Sequence, residues 1–251
     1  VNYLAGFGWL SQMCRDISFK NVKFLPESGR TVSGFADLIH VCGCRGDVKI
    51  NNCSFAHPHD DAINIHASFL RFKNKVDDCT AVFEFVHRQQ GGYRAFNKNQ
   101  SNVVAENITY SPSVEISNCR FNAIPTRGIL VTARGKIRIH DNEFTNVAMA
   151  NVFISNDAND WYESGPVRDV EIYNNKFIVT ENNLPKSIDC SAILVQPITL
   201  GGKVTAPVHK NIYVHSNYFD VRRDRVITAH GVENLRTENN EYKNISTVKI
   251  N

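Results

Sequence analysis

Val48-KINNCS-Phe55 is one of seven versions of a single eight-residue phrase in this chain. The others are Ile17-SFKNVK-Phe24, Val114-EISNCR-Phe121, Ile137-RIHDNE-Phe144, Val170-EIYNNK-Phe177, Ile212-YVHSNY-Phe219 and Leu235-RTENNE-Tyr242. Each alternates apolar and polar residues as a half-buried strand must, bends through Asn or Asp, and ends on an aromatic ring that can plug a core. From one final aromatic to the next the numbering advances by 31, 66, 23, 33, 42 and 23. An interval of 23 is read as one minimal coil, 31 to 33 as a coil with a longer loop, and 66 as two coils. Repeats of this length cannot bury an apolar face alone and do so by stacking on their neighbours.

A second ladder precedes the phrases: Ala36-DLIHVCGC, Asp61-AINIHAS, Arg127-GILVTAR, Asn151-VFISND, Ser191-AILVQ and Arg225-VITAHG. Each runs within a few residues into the next phrase, as in Cys44-RGD-Val48, so every coil contributes at least two strands to parallel sheets. The expected fold is all-β, a right-handed parallel β-helix, with strands stacked about 4.8 Å apart. The bend residues Asn21, Asn52, Asn118, Asn174 and Asn239 are expected to form an internal side-chain ladder with a structural role. From Ser68 to Tyr110 the phrase is missing, and Ala81-VFEFVHR and Gln89-QGGYR predict an inserted hairpin or small β-subdomain. The expected division is therefore coils over 1–67, an insert over 68–110 and coils over 111–251, all in one β-helix domain.

With 42% hydrophobic and 21% charged residues the chain has an ordinary globular composition, which argues against disorder. The charge balance of +3 and the lack of a Lys/Arg run point away from nucleic acid. No apolar stretch is long enough for a transmembrane helix. Val1-Asn2-Tyr3-Leu4 lacks an initiator Met and a basic leader, so the chain reads as a mature or excised fragment. Seven cysteines are an odd number, and Cys42-Gly43-Cys44 is too tight for paired zinc ligands. Cys53 and Cys119 share one place in the phrase, which favours stacked buried thiols over a disulfide.

The densest polar cluster is His57-Pro58-His59-Asp60-Asp61-Ala62-Ile63-Asn64-Ile65-His66. Adjacent carboxylates crowd each other, which raises the pKa of one and lets it serve as a general acid. A calcium site or a solvated acidic turn explains the pair equally well. Asp37 favours chemistry: it precedes Asp60 by 60 − 37 = 23, one minimal coil, so the two are expected to stack. Three carboxyls on adjacent coils supply an acid for a glycosidic oxygen and a base for water. His40, Asn64, His66, Arg127, Thr132, Arg134, Asn156, Asp157 and Gln196 follow the same ladder and could line a sugar groove. In the loop Asn156-DANDWYESGP, Trp161 and Glu163 place an aromatic face beside a carboxylate, suited to a pyranose ring; a hydrophobic lid is the alternative.

Taken in order, Phe35-AD-Leu38-IH, Cys44-RG, Pro58-HDDAIN-Ile65-His66, Ile124-PTRGILVTAR and Asn156-DANDWYESGPVRDV resemble glycoside hydrolase family 110, the bacterial α-1,3-galactosidases. The match runs from about Gly6 to Tyr242; Ala67 stands where many relatives have Gly, and the insert is shorter than the family's barrel-like domain. The resemblance implies an inverting exo-enzyme on a β-helix that removes terminal α-1,3-linked galactose from blood-group-B-type, linear or algal glycans, with no metal and no cofactor. It aligns Asp37, Asp60 and Asp61 with the family's catalytic carboxylates, Asp60 as general acid and Asp37 with Asp61 holding water. A family that degrades external glycans implies a periplasmic or secreted protein whose partner is a carbohydrate, with self-association left open.

Other readings share the β-helix. A polygalacturonase-like hydrolase calls for a Gly-His-Gly strand and an Arg-x-Lys, for which Ala229-His230-Gly231 is a poor substitute. A calcium-dependent lyase would recruit Arg127 or Arg134 as base. A non-catalytic glycan-binding β-helix, such as an adhesin or tailspike stalk, would bind without turnover.

Overall fold

The computed structural model describes residues 1–2, 4–86, 104–180, 191–199, 204, 206–221 and 226–243. The repeated phrase folds as read: a strand, a one-residue corner, and a short second strand. Among the described residues, three parallel ladders of seven strands each stack coil on coil. The first contains Ile39–Cys42, Ile63–Lys75, Ile129–Thr132, Val152–Ile154 and Ile193–Val195; the second contains Arg45–Asn51, Ser113–Ser117 and Lys136–His140; the third contains Ser54–Ala56, Arg120–Asn122 and Glu143–Thr145. The chain is a parallel β-helix.

The plug at the end of each phrase forms one continuous stack. Phe24, Phe55, Phe121, Phe144, Phe177, Phe219 and Tyr242 lie face to face, with neighbouring centroids 4.5 to 5.5 Å apart. Offset stacking of rings adds about 0.5–1.5 kcal/mol per pair to the burial of each ring.

Phe55 stacks directly on Phe121, and Ser113–Ser117 pairs with the strand Arg45–Asn51. The long interval from Phe55 to Phe121 is therefore a single coil, not two, and the additional length leaves the helix as an excursion. Ile63–Lys75 continues past the sheet and pairs antiparallel with Ala81–Phe85 and Val104–Glu106. These strands fall in the stretch expected as an insert, of which 87–103 lies outside the described residues, as does Arg225.

The internal ladder also differs from expectation, by one position. Asn21, Asn52, Asn118, Asp141, Asn174, Ser216 and Asn239 are the corner residues, with φ between 53° and 61°, a left-handed conformation that Asn tolerates well. Reversing the chain there turns the next residue inward. Buried Asn142, Asn175 and Asn217 and half-buried Asn240 form the column; the Nδ2 of each of the first three donates to the next Oδ1 at 3.0 Å, while its backbone N–H donates to the same acceptor at 3.0–3.1 Å. Cys119 extends the column, its N–H donating to Asn142 Oδ1 at 2.9 Å, and Cys53 N–H donates to Cys119 Sγ at 3.4 Å. Both cysteines are free thiols, as their place in the phrase suggested.

Candidate active site

Parallel stacking turns each sequence position into a column. Ile39 registers with Ile63, Ile63 with Ile129, and Ile129 with Val152. Ile39, Ile63 and Ile129 face the core, as do Val41, Ile65 and Val131 two residues on. The residues between them, His40, Asn64 and Leu130, face outward, as do Cys42, His66 and Thr132.

Two residues before each registered isoleucine stand Asp37, Asp61 and Arg127, and Phe7 precedes them by the register of Trp9 with Ile39. Asp37 thus stacks on Asp61, not on Asp60: the coil-to-coil offset is 63 − 39 = 24, one more than the minimal coil. Asp60 sits one residue outside the column and remains half-buried. The inference that the three carboxyls converge holds nonetheless, since their oxygens lie within 4.8 Å of one another.

They line a cleft of about 190 Å³ with Phe7, His40, Asn64, Arg127, Leu130, Trp161 and Glu163. Asp37 accepts from His40 Nδ1 at 2.6 Å and from Asn64 Nδ2 at 3.3 Å. Arg127 donates to Asp61 from Nε at 2.8 Å and from its backbone N–H at 3.2 Å. Asp60 accepts from the Asp61 backbone N–H at 3.0 Å. Burial and the neighbouring Asp37 charge raise the Asp60 carboxyl above the ordinary Asp range. Burial raises Asp61 too, with Arg127 pulling against it. Two neighbouring carboxyls, Asp60 and Asp61, are therefore biased toward their protonated forms, while Arg127 donates to Asp61 and His40 and Asn64 donate to Asp37, an asymmetry that acid–base catalysis can use.

Behind Asp37 the network continues into the sheet. His66 Nδ1 donates to Ala67 O at 2.6 Å, and His66 Nε2 lies 3.1 Å from His40 Nε2 and 3.5 Å from Glu163 Oε1. Burial opposes protonation of His66, yet the Glu163 carboxylate and the Cys42 sulfur raise it to about 10. Burial likewise opposes the Cys42 thiolate, and His66 and His40 nonetheless lower it to about 6.

The loop from Asn156 to Gly165 folds back over this face. Glu163–Ser164 pairs antiparallel with Ala67 and Ser68, and Glu163 Oε1 accepts from Asn64 Nδ2 at 3.4 Å. Trp161, 51% exposed, stands at the rim. Asp157 is buried beneath the loop and accepts from the backbone N–H groups of Asn159, Asp160 and Trp161 at 2.8 to 3.2 Å, so it shapes the loop that carries Trp161.

Not every residue read from the ladder reaches the cleft. Arg134 forms a two-pronged ion pair with Glu106, tying down the last strand of the insert. Thr132 donates to Ser164 O at 3.2 Å. Asn156 and Gln196 lie off the cleft lining, with Asn156 buried. Sequence reasoning misses Phe7, Leu130 and Cys42; the signal exists for Phe7, which stands one coil ahead of Asp37 in the same column. The triad Asp37–Asp60–Asp61 also has the donor set of a hard divalent cation such as calcium.

No family model matches the chain. It is 32% identical to α-1,3-galactosidase A of Bacteroides thetaiotaomicron, over 98% of this chain and 50% of that protein. It is 32% identical to α-1,3-galactosidase A of Bacteroides fragilis, over 96% of this chain and 47% of that protein. For α-1,3-galactosidase B of B. thetaiotaomicron the identity is 30%, over 95% and 46%. Among solved structures, the A-module of a mannuronan C-5 epimerase from Azotobacter vinelandii superposes with a TM-score of 0.51 at 11% identity, over 99% of this chain and 54% of that one, a likeness of fold alone. The chain spans about half the length of the curated relatives it matches. Over nearly its whole length the chain is similar in sequence to proteins named α-1,3-galactosidase.

Proposed function

We propose that this β-helix carries the active site of an exo-acting, inverting glycoside hydrolase that removes terminal α-1,3-linked galactose from glycans. The carrying observation is the convergence of Asp37, Asp60 and Asp61, oxygens within 4.8 Å, in a cleft where burial biases both Asp60 and Asp61 toward protonation and Arg127 donates to Asp61. Protonated Asp60 donates to the glycosidic oxygen as the bond to the anomeric carbon breaks. Asp37 and Asp61 hold a water between them and accept its proton as its oxygen attacks from the opposite face. One water hydrogen-bonded to two carboxylates spans about 4.5–5.5 Å, compatible with this spacing.

A small cleft, roofed on one side by the loop that bears Trp161 and Glu163, suits one terminal sugar and so supports exo action. Trp161 offers a face for the pyranose; Asn64 and Glu163 offer a donor and an acceptor to its hydroxyls. Such an enzyme would work on external glycans, in the periplasm or outside the cell.

The close approach of the carboxyls favours one rival, because retaining glycosidases keep theirs about 5–5.5 Å apart and inverting ones about 6.5–9.5 Å. Proton NMR of the sugar first released from a terminal α-1,3-galactosyl oligosaccharide, with EDTA present, separates the two. β-Galactose from the wild type and nothing from Asp60→Asn supports the proposal. α-Galactose would replace it with retention, and no release would leave a sugar-binding β-helix.

A further inference from the structure

Cys42, His40 and His66 present one sulfur and two ring nitrogens within 4.8 Å of one another, all buried, on the outer face of two adjacent strands. The hydrogen positions there are constrained. His40 Nδ1 faces the Asp37 carboxylate at 2.6 Å and His66 Nδ1 faces the Ala67 carbonyl at 2.6 Å; both partners only accept, so both Nδ1 atoms carry hydrogen. In the neutral tautomers, both Nε2 atoms then present lone pairs to each other across 3.1 Å. Two facing lone pairs at that distance repel, so the pair needs a cation between them, either an added proton or a metal ion.

We infer that Cys42, His40 and His66 form a site for a borderline-soft divalent cation of the zinc class, lying directly behind the carboxyl cluster and sharing His40 with the cleft. Ligand type and geometry both suit it: thiolate with imidazole is a zinc donor set, and tetrahedral bonds of about 2.0–2.3 Å put neighbouring donor atoms about 3.3–3.6 Å apart. Glu163 Oε1, 3.5 Å from His66 Nε2, is at hand for a fourth position. Both rings have the outer-shell acceptor that metal-bound histidines use to fix their tautomer, a carboxylate for His40 and a backbone carbonyl for His66. His40 and Glu163 also line the cleft, which gives an ion its path in. Binding exchanges protons for the ion: the hydrogen shared by the two Nε2 atoms, and that of any Cys42 thiol, leave to solvent. The sequence hid the site because its histidines come from two coils, far apart along the chain, and not from a paired-cysteine motif.

The test is a Co²⁺ titration of the whole chain after chelation, followed by the thiolate-to-cobalt charge-transfer band and then by displacement with Zn²⁺. One equivalent per chain should give the band, Cys42→Ser should abolish it and weaken Zn²⁺ about tenfold or more, and Cys14→Ser, at an exposed thiol, should keep it. X-ray absorption of the zinc-loaded wild type, which needs no variant to fold, should show one sulfur with imidazole nitrogens. Absence of the band in the wild type, its survival in Cys42→Ser, its loss in Cys14→Ser, or a sulfur-free zinc shell would each overturn the site.

Discussion

Arg127 holds Asp61 with two hydrogen bonds, Nε at 2.8 Å and backbone N–H at 3.2 Å to the same oxygen, although the two are far apart in sequence. The β-helix makes them vertical neighbours, and the entire excursion of the insert lies between. Asp61 is 1% exposed, so its carboxylate depends on this one cation. Arg127→Met should destabilise the chain by about 3 kcal/mol in urea unfolding, the usual cost of orphaning one member of a buried pair. Asp61→Asn should cost less, because an amide oxygen still accepts from both donors, and a double-mutant cycle should show strong coupling. Arg127→Met should also move the acid limb of kcat/KM to higher pH, since Asp61, already raised to about 7 by burial, loses the charge that pulls against that shift.

Asp60 titrates in the opposite sense to an ion-paired carboxylate. Its folded-state pKa is raised by burial and by Asp37, so the folded chain binds this proton more tightly than the unfolded one. Its stabilising contribution is complete below the unfolded value of about 4 and is lost as pH rises through the folded value. Asp60→Asn, which cannot ionise, should therefore melt higher than wild type at neutral pH, with the gap closing below about pH 4. The same substitution should lower kcat by about 10²–10⁴ and remove the alkaline limb of the rate profile. A variant that melted lower at neutral pH would show that Asp60 is held by contacts other than these.

Asn175 sits mid-column in the buried ladder. Its Nδ2 donates to Ile139 O and Tyr173 O at 2.9 Å, and its Oδ1 accepts from Asn142. Asn175→Ala leaves those groups dry and unpaired and should cost about 3 kcal/mol in unfolding free energy. Asn175→Cys should cost less, because Cys53 and Cys119 fill the same column with a sulfur that accepts the backbone N–H below it. Asn174→Gly, one residue earlier at the exposed corner with φ of 54°, should be close to neutral, whereas Asn174→Ala should cost about 1 kcal/mol.

The coils are legible because stacking demands the same answer at every turn: an apolar–polar alternation, a residue that tolerates left-handed φ, and a ring. Where the chain departs from repetition, counting along it fails. The shortest coils put Asp60 over Asp37, but the stretch from Cys44 to Asp61 carries one residue more, and a one-residue slip exchanges Asp60 for Asp61 in the column. The Asn ladder moves by one for a related reason, since a left-handed corner residue points away from the core and its successor points in. Arg134 is beyond assignment from sequence, because its partner Glu106 belongs to the insert, whose path no repeat dictates.

Trp161 and Asp157 test whether the loop over the cleft binds the sugar or merely covers the sheet. Trp161 is half exposed at the rim of the cleft, whereas Asp157, 2% exposed, is not among the cleft's lining residues and instead gathers three backbone N–H groups into the turn that presents the indole. If the indole stacks on the galactose, Trp161→Ala should raise KM about tenfold, equivalent to about 1.4 kcal/mol of lost contact, and leave kcat within about twofold. Asp157→Ala should then raise KM as well, since a loop without its acceptor no longer holds the ring in place, and Asp157→Asn, which keeps an acceptor oxygen, should restore most of the loss. A hydrophobic lid predicts otherwise: Trp161→Ala would lower the melting temperature and leave KM where it was.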